Sequence, residues 1–306
     1  MVRAQTILVL LLVLAVLQWG TGSGGTANDP ETIATRPEAT APLTSTAEPT
    51  RSATVEPTPT SIPAVEPTAT IEPTREPTGE PEPTERPVPP DTGQASSLLV
   101  TRGESGRMEV AFTFDAGEGA GHTEAILDLL AEYGVVASFG VTGEWVEANP
   151  DLTRRIVADG HMLINHTWDH RSFTGVSTGL EPLTNDEFVD EVTGTEDIIA
   201  EVTDGYQTAP YFRFPYGDYD QQALDLLGEL GYAYTLGWSC DTLGWYGYTP
   251  AEIVERCGSG ADDGGAGAII LMHVADDNDW GALDELLQDY LDAGYDLVTI
   301  EQLLQP

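Results

Sequence analysis

Five short apolar runs, each closing on a side chain that can bind a metal, move a proton or present a guanidinium, constrain this chain more than any other feature. Val110-Ala-Phe-Thr-Phe ends in Asp115 and a glycine-rich turn, Met162-Leu-Ile leads to His166-Thr-Trp-Asp-His170, and Pro210-Tyr-Phe leads into Arg213-Phe-Pro-Tyr216. Tyr234-Thr-Leu-Gly-Trp-Ser precedes Asp241-Thr-Leu-Gly-Trp245, and Ala268-Ile-Ile-Leu-Met closes on His273. Runs of this length, rich in β-branched and aromatic residues, read as buried strands. A single aspartate at a strand end commonly just closes a turn or caps the next helix. Five such endings point elsewhere, because in a parallel α/β sheet or barrel the strand ends gather at one face.

The elements between the runs fit that architecture. Strand-like segments lie near Val110, Ala137, Met162, Tyr211, Ala233, Ala268 and Asp296. Helical patterns separate most of them, at 152–158, 187–202, 221–230, 251–257 and 283–293, and Thr123 is placed to cap a helix carrying Ile126, Leu127, Leu129 and Leu130. Alternation of this kind predicts a parallel, helix-wrapped α/β sheet. Residues 96–306 suffice for one sizeable core and are too few for two comfortable domains.

The first 95 residues are of another kind. An apolar run from Ile7 to Leu17, followed by small residues, is short of the roughly 20 residues of a transmembrane span and has the layout of a secretory signal over 1–26, with an uncleaved signal anchor as the alternative. Residues 27–95 shift to Pro, Thr, Glu and Ser, with Glu-Pro-Thr recurring at Glu48, Glu56, Glu66, Glu72, Glu76 and Glu82. Too little apolar surface is available to offset the entropy of ordering, so this stretch is expected to be a disordered, semi-extended linker. An exported protein, extracellular or attached to the cell envelope, is the corresponding expectation.

Charge excludes one class of partner. All 12 basic residues are arginine. Of the 51 acids 12 precede residue 96, as do 5 of the arginines, which leaves 39 acids against 7 arginines in the domain. Nucleic acid is thereby excluded, since phosphate binding needs a basic footprint. A saline habitat and a genome poor in lysine codons both account for the bias. Nothing in the chain suggests an oligomer, so a monomer is expected. The two cysteines, Cys240 and Cys257, are either a disulfide of an exported domain or two buried thiols.

His166 and His170 stand four apart, the interval that puts two imidazoles on one side of a helical turn, where a divalent ion commonly binds. Only five histidines occur in the chain, and three of them fall in these strand-end motifs. Nitrogen ligands suit Zn²⁺, with Co²⁺, Ni²⁺ or Mn²⁺ as alternatives.

Taken together, Thr113-Phe-Asp-Ala-Gly117, His166-Thr-Trp-Asp-His170, Arg213-Phe-Pro-Tyr216, Asp241-Thr-Leu-Gly-Trp245 and Leu271-Met-His273 resemble, in order and spacing, the five motifs of the polysaccharide deacetylases of carbohydrate esterase family 4, the NodB-homology domain. The resemblance implies a distorted (β/α)7 barrel and a metal-dependent hydrolase that removes N-acetyl groups from amino sugars in cell-wall glycan or chitin-like chains. It also implies roles: Asp115 as base, His273 as acid, Arg213 orienting Asp115, and His166 and His170 as metal ligands. The backbone N–H of Tyr216 would stabilise the oxyanion, Asp241 would belong to the substrate-binding wall, and Trp245 and Leu271 would line a pocket for the acetyl methyl. Two positions depart from the motifs. The second aspartate of the first motif, a metal ligand, is Ala116, so extra waters or a nearby acid such as Glu118 or Asp169 would have to complete the shell. The aspartate that precedes the tryptophan, expected to partner the arginine, is Gly244. An O-acetyl esterase of the same family and a catalytically inactive glycan-binding envelope protein are the alternatives that these departures leave open.

Overall fold

The computed structural model describes residues 96–305, so the predicted signal and linker lie outside the described residues. Nine strands occur: β1 (Leu98–Val100), β2 (Glu109–Ala116), β3 (Ser138–Val141), β4 (Met162–Asn165), β5 (Tyr211–Phe212), β6 (Tyr234–Leu236), β7 (Cys240–Asp241), β8 (Ile269–His273) and β9 (Asp296–Leu297). Eight α-helices accompany them: α1 (Thr123–Tyr133), α2 (Gly143–Ala148), α3 (Pro150–Ala158), α4 (Asn185–Val202), α5 (Gln221–Glu229), α6 (Pro250–Cys257), α7 (Asp277–Asp292) and α8 (Ile300–Leu303). The strand order is β1-β6-β5-β4-β3-β2-β8-β7, with β9 added beside β2. Every ladder is parallel. The strands curl into an incomplete, helix-wrapped barrel: the parallel, helix-wrapped sheet is what the alternating pattern predicts, and the barrel is what the family resemblance implies.

Strand period two divides β2 cleanly. Val110, Phe112, Phe114 and Ala116 join a buried apolar cluster with Ile126, Leu127 and Leu130 of α1 and Leu283 and Leu286 of α7. Thr113 and Asp115, on the other face, meet the buried Arg213 inside the barrel. Neutral packing outside and polar chemistry inside thus come from one eight-residue strand.

The departures from expectation are local. β1 and β7 were not foreseen, because two or three residues carry no readable period. Thr123 opens α1 but does not cap it: the cap position is His122 and makes no side-chain cap bond, while the Thr123 hydroxyl donates to the carbonyl of Ala120. His166 and His170 occupy no helical turn. They lie in a loop after β4 in which Thr167 and His170 take φ of 67° and 63°, a left-handed conformation uncommon for such residues.

Cys240 on β7 and Cys257 at the end of α6 form a disulfide with Cα atoms 5.7 Å apart and 17 residues of sequence separation. Of the two readings, the bonded one holds. A loop of that size is expected to stabilise the fold by about 3 kcal/mol through the entropy it removes from the unfolded chain. Denaturant titration with and without reductant measures that difference, and alkylation of the native, unreduced protein is expected to label neither cysteine.

Candidate active site

Strand order brings the predicted residues together. Along β5-β4-β3-β2-β8-β7, consecutive strand ends carry Arg213, His166, a stretch of β3, Asp115, His273 and Asp241. Asp115 faces Gly140 on one side and His273 on the other in the ladder register. Gly140 is there because of that proximity: a Cβ on it would lie 2.5 Å from Asp115 Oδ1.

Asp115 is 8% exposed. Its Oδ1 accepts a hydrogen bond from Arg213 Nη1 at 2.9 Å, and Arg213, with no exposed surface, also donates to Thr113 Oγ1 and to the carbonyls of Leu236 and Gly237. Burial would raise the Asp115 pKa, but the charges of Arg213, His166 and His273, with the Arg213 hydrogen bond, outweigh it and hold the carboxyl below its ordinary value. Asp115 is therefore an ionised carboxylate hydrogen-bonded to a guanidinium.

The histidine pair is held from behind. Asn165, fully buried, accepts from the N–H of Thr167 and donates to Val192 O and Tyr232 Oη. Glu191 of α4 accepts the N–H groups of Trp168 and Asp169 and pairs with Arg171 at 2.7 Å. His166 Nδ1 lies 2.9 Å from the carbonyl of Arg213, which makes it the protonated nitrogen. Nε2 is then a lone pair, buried and without a hydrogen-bond partner, 3.4 Å from Asp115 Oδ2. Two acceptors facing each other at that distance require a cation or a donated proton between them. His170 packs its ring 4.9 Å from that of His166. Burial and the neighbouring His166 depress the His170 pKa to about 3, and burial also lowers that of His166, so both imidazoles are neutral near pH 7.

These observations fit two nitrogen ligands of a divalent cation, with His166 backed by the Arg213 carbonyl in the way that ligand imidazoles are. They do not supply a third: among the described residues no group of three or more His, Cys, Asp or Glu is arranged to hold a metal. The two suggested substitutes for a carboxylate at position 116 are not positioned to serve. Asp169 is tied to Arg171 at 3.0 Å, and Glu118 lies on an exposed turn.

His273 is protonated more readily than a free imidazole. Burial alone would lower its pKa, but contact with Asp279 and the charges of Asp115, Asp279 and Asp241 raise it. Asp241 accepts the N–H of Leu243 at 2.9 Å and the indole N–H of Trp245 at 3.3 Å. Trp245 is 58% exposed, so it can wall an open cleft rather than a closed pocket; Leu271 is buried on β8 beside Thr113. Tyr216 adopts φ of 60° in a tight turn and packs against His170 at 4.7 Å. Holding a non-glycine residue in that conformation costs of order 1–3 kcal/mol, and such strain clusters at functional sites.

Gly244 is not at Arg213, as its motif position suggested. It lies against the first turn of α7, where a Cβ would be 2.5 Å from Oδ1 of both Asp276 and Asp279. Sequence reasoning missed Asn165, Glu191, Gly140 and Asp279, all of which act on the site through other residues.

A parallel α/β barrel thus holds an ionised carboxylate, an imidazole that binds a proton more readily than usual and two neutral imidazoles at one mouth. The chain belongs to the polysaccharide deacetylase family, whose profile matches residues 102–235. It is 30% identical over 208 residues to a peptidoglycan-N-acetylglucosamine deacetylase of Bacillus cereus, covering 66% of this chain and 70% of that protein. It is 32% identical over 194 residues to the peptidoglycan-N-acetylglucosamine deacetylase PgdA of Listeria monocytogenes, covering 63% of this chain but only 38% of that longer protein. Among solved structures, a family 4 pseudoenzyme of Bacillus anthracis superposes with a TM-score of 0.60 at 26% identity, covering 69% of this chain and 70% of that one. A mutant of that pseudoenzyme has restored enzymatic activity.

Proposed function

We propose that this protein is an exported, metal-dependent deacetylase that hydrolyses N-acetyl groups of amino sugars in cell-wall glycan. The observation that carries the reading is the pair Asp115 and His273, opposite each other on β2 and β8, with their pKa values driven apart: the acid lowered, the imidazole raised. Environments that separate two titrating groups in this way assign a base and an acid. Asp115 takes a proton from the attacking water while Arg213 keeps the carboxylate ionised and oriented. His273 delivers a proton to the leaving amine as the amide C–N bond breaks. The N–H of Tyr216 is the candidate oxyanion donor. A divalent cation held by His166 and His170, Zn²⁺ by preference, would acidify the water and polarise the acetyl oxygen.

Turnover then needs Asp115 ionised and His273 protonated. Activity is expected to fall as pH rises through the raised pKa of His273, above about 6.5, and to persist on the acid side until Asp115 protonates, below the ordinary carboxylate range. The same shifts act on stability. The Asp115 contribution is present above pH 3.8 and is lost as pH falls through the lowered folded value; that of His273 is present below pH 6.5 and is lost as pH rises through the raised one. A pH profile of kcat/KM beside thermal melts over the same range checks both.

The substrate class follows the peptidoglycan deacetylases that the chain is similar to. Incubation with peptidoglycan and with acetylated xylan separates the N- from the O-acetyl reading. New glucosamine amines in step with acetate support the proposal, and acetate without amines supports the esterase. The inactive glycan-binding reading has its own motive in Ala116 and the two-ligand site, together with a family 4 pseudoenzyme among similar structures.

A further inference from the structure

The first turn of α7 reads Asp277-Asn278-Asp279, with Asp276 as its cap, an acid-rich start of the kind many helices have. One of these acids behaves unlike the rest. Asp277 is 94% exposed in its side chain, whereas Asp279 is buried to 1%. Asp279 Oδ2 accepts the backbone N–H of His273 at 2.7 Å and lies 3.5 Å from His273 Nδ1, an ion-pair contact without a hydrogen bond, so that Nδ1 is itself buried and unpartnered. Its Oδ1 has no hydrogen-bond partner although it is buried. A buried carboxylate with spare acceptor capacity is costly unless a positive charge lies near it, and the ion-pair partner of its other oxygen, Oδ2, is the His273 imidazole.

Gly244 explains how a helix residue reaches that place. Oδ1 of Asp279 lies 2.5 Å from where a Cβ on Gly244 would stand, and its Cγ only 3.0 Å away, so any side chain at 244 would occupy the space that the carboxylate fills. Asn278 Nδ2, 3.4 Å from Gly244 O, brings the same turn of helix against the same glycine. The missing side chain at 244 leaves room for a carboxylate that arrives from α7.

We propose that Asp279 is a positioning residue for His273, entering through the space left by Gly244 to orient the imidazole and stabilise its protonated form. Asp115 on β2 and Asp241 on β7 act on the same imidazole through their charges, and its own charge acts on His166 and His170 in the loop after β4, so Asp279 adds to a field that they share. Its catalytic meaning rests on the deacetylase reading; the pairing itself does not.

The test is NMR titration of the full chain, ¹⁵N-labelled at its five histidines. His273 is expected to titrate above the free imidazole value of about 6.5, and Asp279→Asn, which keeps the shape and an acceptor for the His273 N–H, is expected to lower it by about one unit or more. Gly244→Ala, whose Cβ would press on the carboxylates of Asp276 and Asp279 alike, is expected to shift it in the same direction, and serves if Asp279→Asn does not fold. In kinetics, Asp279→Asn is expected to lower kcat about tenfold or more with KM little changed, and to move the alkaline limb of the pH profile down. A His273 pKa at or below 6.5 in the wild type, or unmoved by either substitution, overturns the inference. A shifted pKa in a protein that releases no acetate upholds the pairing and removes the deacetylase reading.

Discussion

Asp115→Asn is expected to reduce acetate release by about 10²- to 10⁴-fold, the range for loss of a positioned general base. The same substitution should destabilise the fold. Arg213 is fully buried and Asp115 is its carboxylate partner, so the guanidinium would keep only Thr113 Oγ1 and two carbonyls. Breaking a buried ion pair from one side costs about 3–5 kcal/mol. The nitrogen donors of His166 and His170 are untouched, but the anionic oxygen 3.4 Å from His166 Nε2 is lost, so affinity for Zn²⁺ should weaken without being abolished. Kinetics, urea unfolding and calorimetric metal titration on one variant separate the three effects. Retained activity would place the base elsewhere.

Ala116→Asp is the second large effect and has two opposed parts. Ala116 has no exposed surface and belongs to the apolar cluster between the sheet and its helices. A carboxylate there, with no cation bound, should cost on the order of 3 kcal/mol. If the position supplies the missing oxygen ligand, metal should bind about tenfold more tightly or better, which at saturating metal returns about 1.4 kcal/mol relative to the wild type's own gain. Thermal melts should therefore show a variant less stable than the wild type in chelator and with a larger rise on adding Zn²⁺. Equal rises in both proteins would mean that position 116 does not reach the metal.

Much of this site was legible because each strand ran directly into its functional residue, and parallel topology then brings the ends together whatever the spacing between them. Asp115, His166, Arg213 and His273 needed only that rule. The supporting residues carry no such mark. Asp279 is one acid among several at the start of α7, and nothing in the string distinguishes the buried one from the exposed Asp277. Glu191 sits in the middle of a helix that looks amphipathic throughout, yet its carboxylate ties down the histidine loop. Gly140 reads as an ordinary strand glycine until the Asp115 carboxylate is placed beside it. The spacing of His166 and His170 suggested a helical turn where the chain in fact makes a loop with two left-handed residues, because an interval of four is equally compatible with both. Gly244 was read against the arginine, and only the approach of α7 shows what its missing side chain makes room for.

The most direct measurement is acetate release from N-acetylated peptidoglycan by the full chain, with added Zn²⁺ or Co²⁺ and after chelation. The account predicts acetate and an equal number of new amines in the presence of metal, lost on chelation and absent in Asp115→Asn. Saturable binding to the glycan with no acetate under any metal would contradict it.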